Sequence, residues 1–263
     1  MRVLLFGITG NIGSRLAPAF IAHGHSVVVF VRPASRSKIP SALVSQLEAV
    51  VEGDAKNSAD IQKAIIEFKC DAIFNAAGLA AMTRFQTPSE LPTIFRAIVD
   101  AATAARCERG AGSPPVRLWM MSGWFILDNP SLPGHLILDS LPLFPEHKPN
   151  WQLIEGTSRE DIAWSLFCSA AVRAKYEPAK TIPPPECKAA NLVAGVDEPI
   201  AWKKKQWVAK IPLIGNLLNA ISQVSDYSAS IEDCADWLAE DLDRGLASEW
   251  IGHRVCLKTK GNA

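Results

Sequence analysis

The stretch Gly7-Ile8-Thr9-Gly10-Asn11-Ile12-Gly13 decides how this chain is read. It follows a short apolar run, residues 2–6, that suits a buried strand. It precedes Ile12, Leu16, Ala19, Phe20 and His23, which recur at helical spacing up to Gly24. Glycines between a strand and a helix make a tight turn and let a pyrophosphate approach the backbone closely. The helix N-terminus then presents free N–H groups and a partial positive charge. Gly7, Thr9, Gly10, Asn11, Ile12 and Gly13 are thus the expected phosphate-binding loop of a dinucleotide site, with Gly13 letting the helix lie close to the sheet.

Working outward, β-branched residues 26–31 read as a second buried strand and residues 45–53 as a third. Residues 60–68 read as a helix, 71–75 as a strand, 91–105 as a longer helix and 116–122 as a fifth strand. This alternation predicts an α/β fold, a doubly wound parallel sheet of the Rossmann type. After Ser122 the pattern loosens. Residues 129–149 suit a loop over the sheet, 147–157 a helix and 164–168 a sixth strand. Residues 170–226 carry many prolines and little period, and the run from Trp202 to Lys205 reads as a solvated face. Ser230-Ile231-Glu232-Asp233 has the form of a capping box opening a last helix with Ile231, Cys234, Leu238 and Leu242 inward, and residues 254–258 suit a final strand. The expectation is one domain over residues 1–263, with residues 125–226 contributing a substrate-binding lobe.

Bulk properties narrow the class. The 263 residues carry 27 Lys plus Arg against 27 Asp plus Glu, a balance that does not point to nucleic acid or an anionic membrane. No apolar run reaches the length of a membrane span, and residues 1–31 read as the first βαβ unit rather than a leader. The six cysteines form no CxxC pair and no zinc spacing with histidine, so reduced thiols in a cytoplasmic protein without a metal are expected. A homodimer is left open.

The second strand ends at Arg32, with Arg36 and Lys38 just beyond, where an NAD-selective fold often carries an acid for the ribose 2′-hydroxyl. A guanidinium suits a 2′-phosphate, so Arg32 and Lys38 favour NADP(H) over NAD(H). Asp54, after the third strand, is placed to border the adenine, and Asn75, Ala76, Ala77 and Gly78 to pass beneath a ribose.

Together Gly7–Gly13, Arg32, Gly53-Asp54, Asn75–Gly78, Met121-Ser122-Gly123 and Ser230–Ala235 resemble the short-chain dehydrogenase/reductase superfamily, most closely its atypical, NmrA-like branch. The resemblance implies a serine after the fifth strand and a YxxxK helix beyond it, the tyrosine acting as acid or base and the lysine lowering its pKa. Ser122 fits the serine. The tyrosine and lysine positions of a YxxxKxxxE frame hold His147 and Trp151, with Glu155 at the glutamate. A literal YxxxK at Tyr176–Lys180 contains Pro178 and precedes three prolines, which oppose a helix. Ser122 and His147 are therefore the expected catalytic pair, although His147 beside Lys148 also suits a plain surface site. Trp124 and Trp151 are the expected pocket for an apolar or aromatic small-molecule substrate, although tryptophans also suit the core. The expectation is an NADP(H)-dependent oxidoreductase. The alternatives are a non-redox isomerase or cyclase that uses the cofactor to orient its substrate, and an NADP(H)-binding redox sensor.

Overall fold

The computed structural model describes residues 1–203, 211 and 215–261. In chain order the elements are β1 (Arg2–Phe6), α1 (Gly13–Ala22), β2 (Ser26–Val31), α2 (Pro33–Arg36), α3 (Ser41–Val44), β3 (Ala49–Glu52), α4 (Ser58–Glu67), β4 (Ala72–Asn75), α5 (Leu91–Arg109) and β5 (Val116–Gly123). There follow α6 (Ile137–Ser140), α7 (His147–Glu155), β6 (Ile162–Ser169), β7 (Ala171–Arg173), β8 (Leu192–Val196), α8 (Gly215–Val224), β9 (Ser228–Ser230), α9 (Ile231–Arg244) and β10 (Arg254–Thr259).

Strands buried on both faces should be apolar throughout. Val3, Leu4, Leu5 and Phe6 of β1 all are, and they alternate between two cores. Leu4 and Phe6 meet the layer of α4, α5 and α7, while Val3 and Leu5 meet α1 and α9. The main sheet runs β3-β2-β1-β4-β5-β6-β10-β8, parallel except for β8 at the edge, which pairs antiparallel with β10. The fold is Rossmann-like. Its strand order reverses at β1, leaving a crevice between β1 and β4 at the carboxyl ends of the strands.

Three departures from the sequence expectations have local causes. β3 is shorter than expected, because Ser45 closes the turn of α3 through its N–H to the Ser41 carbonyl. The 170–226 stretch holds β7, β8 and α8, and its two strands pair with partners distant in sequence, such as Leu192 with Thr259. Trp202 is no solvated residue: its ring stacks on Trp124 at 5.9 Å and its Nε1 donates to Ser131 Oγ at 2.8 Å. Lys204 and Lys205 lie outside the described residues. The Ser230 hydroxyl caps α9 as expected, accepting from the Asp233 N–H at 2.9 Å.

No described helix is long and apolar enough to cross a membrane. All six cysteines are free, and the described residues include no cluster of His, Cys, Asp or Glu fit for a metal.

A polar cluster centred on Asp241 is buried under the sheet. Arg117 of β5 donates to Asp241 Oδ2 at 2.7 Å, and Asp241 also accepts from Trp119 Nε1 at 2.9 Å and Ser248 Oγ at 2.5 Å. Burial pulls the guanidinium's pKa down, and the carboxylate opposes that pull. Removing one partner of such a pair leaves a buried charge unmatched. Asp241→Ala is expected to lose about 3–5 kcal/mol in urea unfolding, far more than an exposed substitution such as Glu240→Ala.

Candidate functional site

The crevice opens into a cleft of about 880 Å³, within the usual range for ligand sites. The six neighbouring strands from β3 to β6 contribute their carboxyl ends. β1 leads into Gly7–Ile12, β2 ends at Arg32, β3 leads into Gly53–Lys56, β4 into Ala76–Ala80, β5 into Met121–Gly123 and β6 into Ser169-Ala170.

The loop after β1 is shaped by main-chain contact. Gly7 has φ +83°, and a Cβ there would fall 2.5 Å from the Ala76 carbonyl. A Cβ on Gly13 would fall 2.1 Å from the Gly7 carbonyl oxygen, so this glycine presses α1 onto the turn and stands behind the cleft rather than in it. Gly10 differs, because a Cβ there meets only the Gly7 oxygen, at 3.2 Å, and the residue faces the cleft. α1 has neither a side-chain N-cap nor an acid in its first turn. The Ser14 and Arg15 N–H groups bond the Gly10 and Ile12 carbonyls, so it is the N–H groups of the turn before them and the helix dipole that stay available to an anion. Arg15 anchors this end. Its guanidinium bonds Glu232 at 2.8 Å, the Asn11 carbonyl at 2.7 Å and the Tyr176 carbonyl.

Arg32 and Asp54 line the cleft as expected, and so do Ala76, Ala77 and Gly78. Lys38 is exposed beyond the cleft wall, and Arg36 is paired with Glu52 at 2.8 Å. Asn75 is fully buried. Its side chain accepts from the Ala77 N–H at 3.0 Å and braces the strand end without lining the cleft. Sequence reading missed Lys56 and Glu90, which line this half and pair with each other at 2.6 Å.

At the other end Ser122 and His147 come together. Ser122 Oγ lies 3.4 Å from His147 Nδ1, a long contact of the kind that tightens when a ligand binds. Gly123 makes room for the ring, since a Cβ there would fall 2.7 Å from His147 Cδ2. His147 is no surface residue, being only 9% exposed. Burial pushes its imidazole down to about 4, against the pull of the Glu146 carboxylate. It is neutral near pH 7, with one N–H and one lone pair, so an imidazolium donor is not at hand there. Phe125, Phe144, Leu79 and Ala170 give this half an apolar lining.

The two tryptophans lie elsewhere. Trp124 is fully buried, packed on Phe125, Trp202 and Tyr227. Trp151 lies under the Arg254 guanidinium at 4.3 Å, and Arg254 also holds Asp128 in a two-pronged ion pair. Both belong to packing; Trp151 shares a helix face with His147 but sits one turn further along α7, against Arg254 of β10. Tyr176 sits in a non-helical segment outside the cleft, its hydroxyl bonded to Glu186.

Residues 3–109 match the NAD dependent epimerase/dehydratase family. No curated protein matches the chain in sequence. Among solved structures it is similar to a protein from Burkholderia pseudomallei, at 22% identity and TM-score 0.63 over 98% of this chain and 99% of that one. It is also similar to a short-chain dehydrogenase/reductase from Veillonella parvula DSM 2008 in complex with NADP, at 11% identity and TM-score 0.64 over 99% and 95%. A third is an oxidoreductase from Lactococcus lactis, at 15% identity and TM-score 0.61 over 98% and 91%. At these identities the likeness is one of fold, a Rossmann-like fold.

The glycines differ in what they can tolerate. Gly10→Val is expected to keep the wild-type melting temperature and circular dichroism while abolishing nicotinamide-dinucleotide binding. Gly13→Val, driven into the Gly7 carbonyl, is expected to unfold the protein or lower its melting temperature sharply. Dinucleotide titration of a folded Gly10→Val variant with wild-type affinity would refute the placement.

Proposed function

We propose that the protein is an NADP(H)-dependent oxidoreductase acting on a small, apolar or aromatic carbonyl compound or the corresponding alcohol. The observation that carries the reading is a single cleft with an uncapped helix N-terminus at one end and the Ser122–His147 pair at the other. The residues present suit a dinucleotide. The loop from Gly7 to Ile12 would hold the pyrophosphate, and Ala76 to Gly78 would lie along a ribose. Arg32, with no acid at the end of β2 to repel a 2′-phosphate, would favour NADP(H). The relative from Veillonella parvula is a complex with NADP, and that supports the choice.

When bound, the cofactor supplies or accepts the hydride; the chain supplies orientation and proton handling. In the oxidative direction the substrate hydroxyl would pass its proton to Ser122 Oγ while the serine's own proton passes to the lone pair on His147 Nδ1; in the reductive direction the same path runs backwards, the imidazole first taking up a proton from solvent. A neutral imidazole relays a proton well, but it lacks the charge a lysine would add beside a tyrosine. The apolar side chains of Phe125, Phe144 and Leu79 favour an uncharged, flat substrate. Residues 125–226 supply part of this wall, consistent with a substrate-binding lobe. The missing tyrosine–lysine pair keeps a second reading in view, in which the bound cofactor orients a substrate for isomerisation or cyclisation without turnover of hydride.

Two measurements test this. NADPH is expected to bind about tenfold tighter than NADH, roughly 1.4 kcal/mol, and Arg32→Ala to erase that difference. Equal affinities in the wild-type protein would remove the NADP(H) assignment. With a substrate found by screening ketones, enones and imines, His147→Ala is expected to lower kcat by about 100-fold or more, and Tyr176→Phe to leave it unchanged. In the oxidative direction, where neutral His147 is the base, kcat/KM should stay flat from neutral pH down toward 5 and fall as pH drops through about 4, where His147 gains its proton. A limb near 6.5 would assign the titration to another group, and NADPH bound without consumption across the screen would favour the non-redox reading.

A further inference from the structure

Glu146 lies beside His147 and touches neither the cleft nor its expected contents. Its carboxylate instead gathers the loop that joins β4 to α5, residues 76–90. Oε2 accepts from the Ala81 N–H at 2.9 Å and the Ser89 hydroxyl at 2.6 Å, and Oε1 accepts from the Ser89 N–H at 2.7 Å. One side chain thus pins the loop near both of its ends. A second stitch runs alongside, from the Phe144 N–H to the Met82 carbonyl at 2.8 Å. Between the pinned points the loop braces itself, Gln86 Oε1 accepting from the Met82 N–H at 2.6 Å. The other lip of the cleft is tied to the same loop through Lys56 and Glu90.

The tethered parts bear on the catalytic end. Leu79 and Ala80 of the loop line the cleft, as do Phe144 and His147. Phe144 holds a left-handed backbone, φ +54°, which a bulky residue adopts only where its surroundings enforce it. Its ring lies 6.3 Å from the His147 ring, and its carbonyl accepts from the His147 N–H at 3.2 Å. Leu79 and Phe85 are meanwhile 88% and 85% exposed, so apolar packing does little to hold the loop down. The polar stitches carry that task.

We propose that Glu146 is a positioning residue that fastens the 76–90 loop to the start of α7, setting the roof of the cleft and the placement of His147 through one carboxylate. The proposal rests on reading His147 as the proton-relay group. Burial raises the Glu146 carboxyl, and the bonds from Ser89 and Ala81 more than offset this, so it stays ionised in the working range.

The test uses Glu146→Gln, which keeps the size but loses the second acceptor, and Ser89→Ala, which weakens the stitch from the loop side and keeps the charge. Arg84 is exposed in the middle of the loop and gives trypsin a reporter bond. In the cofactor-free protein, cleavage after Arg84, followed by mass spectrometry, is expected to rise on the order of tenfold in both variants, with melting temperatures near wild type. His147, followed by NMR, separates positioning from simple electrostatics. Loss of the neighbouring negative charge alone would lower the pKa of the imidazole, whereas release of the loop wets the ring and raises it toward 6.5. A raised His147 pKa together with faster cleavage is the expected result. Wild-type cleavage rates, or an unshifted or lowered His147, would overturn the proposal. A parallel arm adds NADPH, which should protect Arg84 in the wild type. Failure of NADPH to bind there counts against the cofactor reading, while the cofactor-free arms judge the fastening by themselves.

Discussion

The contact on which the rest of the structure depends is backbone against backbone. The turn after β1 is squeezed between the start of α1 and the end of β4, with Gly7 against Ala76 and Gly13 against the Gly7 carbonyl. No side chain fits at either glycine, so the turn and the start of the helix are aimed at the crevice. Arg15 then locks this end to α9 and to the Tyr176 segment, and the sheet order places β4 and β5 beside it. The cleft follows from that close approach, because the strand ends beyond β1 have nowhere else to converge.

At the far end the chemistry depends on how a ring is buried. The frame suggested by the resemblance put a histidine where a tyrosine stands and a tryptophan where a lysine stands. In the structure these two substitutions are not parallel. His147 keeps the position and gains a serine partner, while Trp151 leaves the site for a cation–π contact with Arg254. The imidazole is thereby deprived of both water and a nearby cation. On the proposed reading it would handle protons as a neutral relay, a weaker device than a charged pair but one that needs no shifted tyrosine.

The legible parts of the sequence were those with local signals. β1, the glycine turn and α1 are consecutive, each with its own pattern, and they were read to within a residue or so. Ser122 and His147 could be brought together because the frame fixed the helix after β5 and a histidine in its first turn. What stayed hidden depends on distant partners. β8 is a short apolar pentapeptide until β10 pairs with it. Trp124 and Trp202 look like candidates for a pocket and a solvated face, and they are one buried stack. Glu146 has no sequence signature, since its meaning comes from Ser89 and Ala81, which lie far back in the chain. Pairwise burial and long-range hydrogen bonds decide such positions, and periodicity does not encode them.

The two halves of the cleft are also made of different material. The half beside Gly7–Ile12 is formed largely by peptide groups, whose geometry any substitution at Gly7 or Gly13 would damage. The half beside His147 is walled by Leu79, Phe125 and Phe144, side chains on loops outside the parallel sheet. Mutation can therefore explore new shapes in the second half while the first stays under strict selection. A lineage built on this plan would diversify its chemistry by exchanging wall residues, leaving descendants that share a floor and little else.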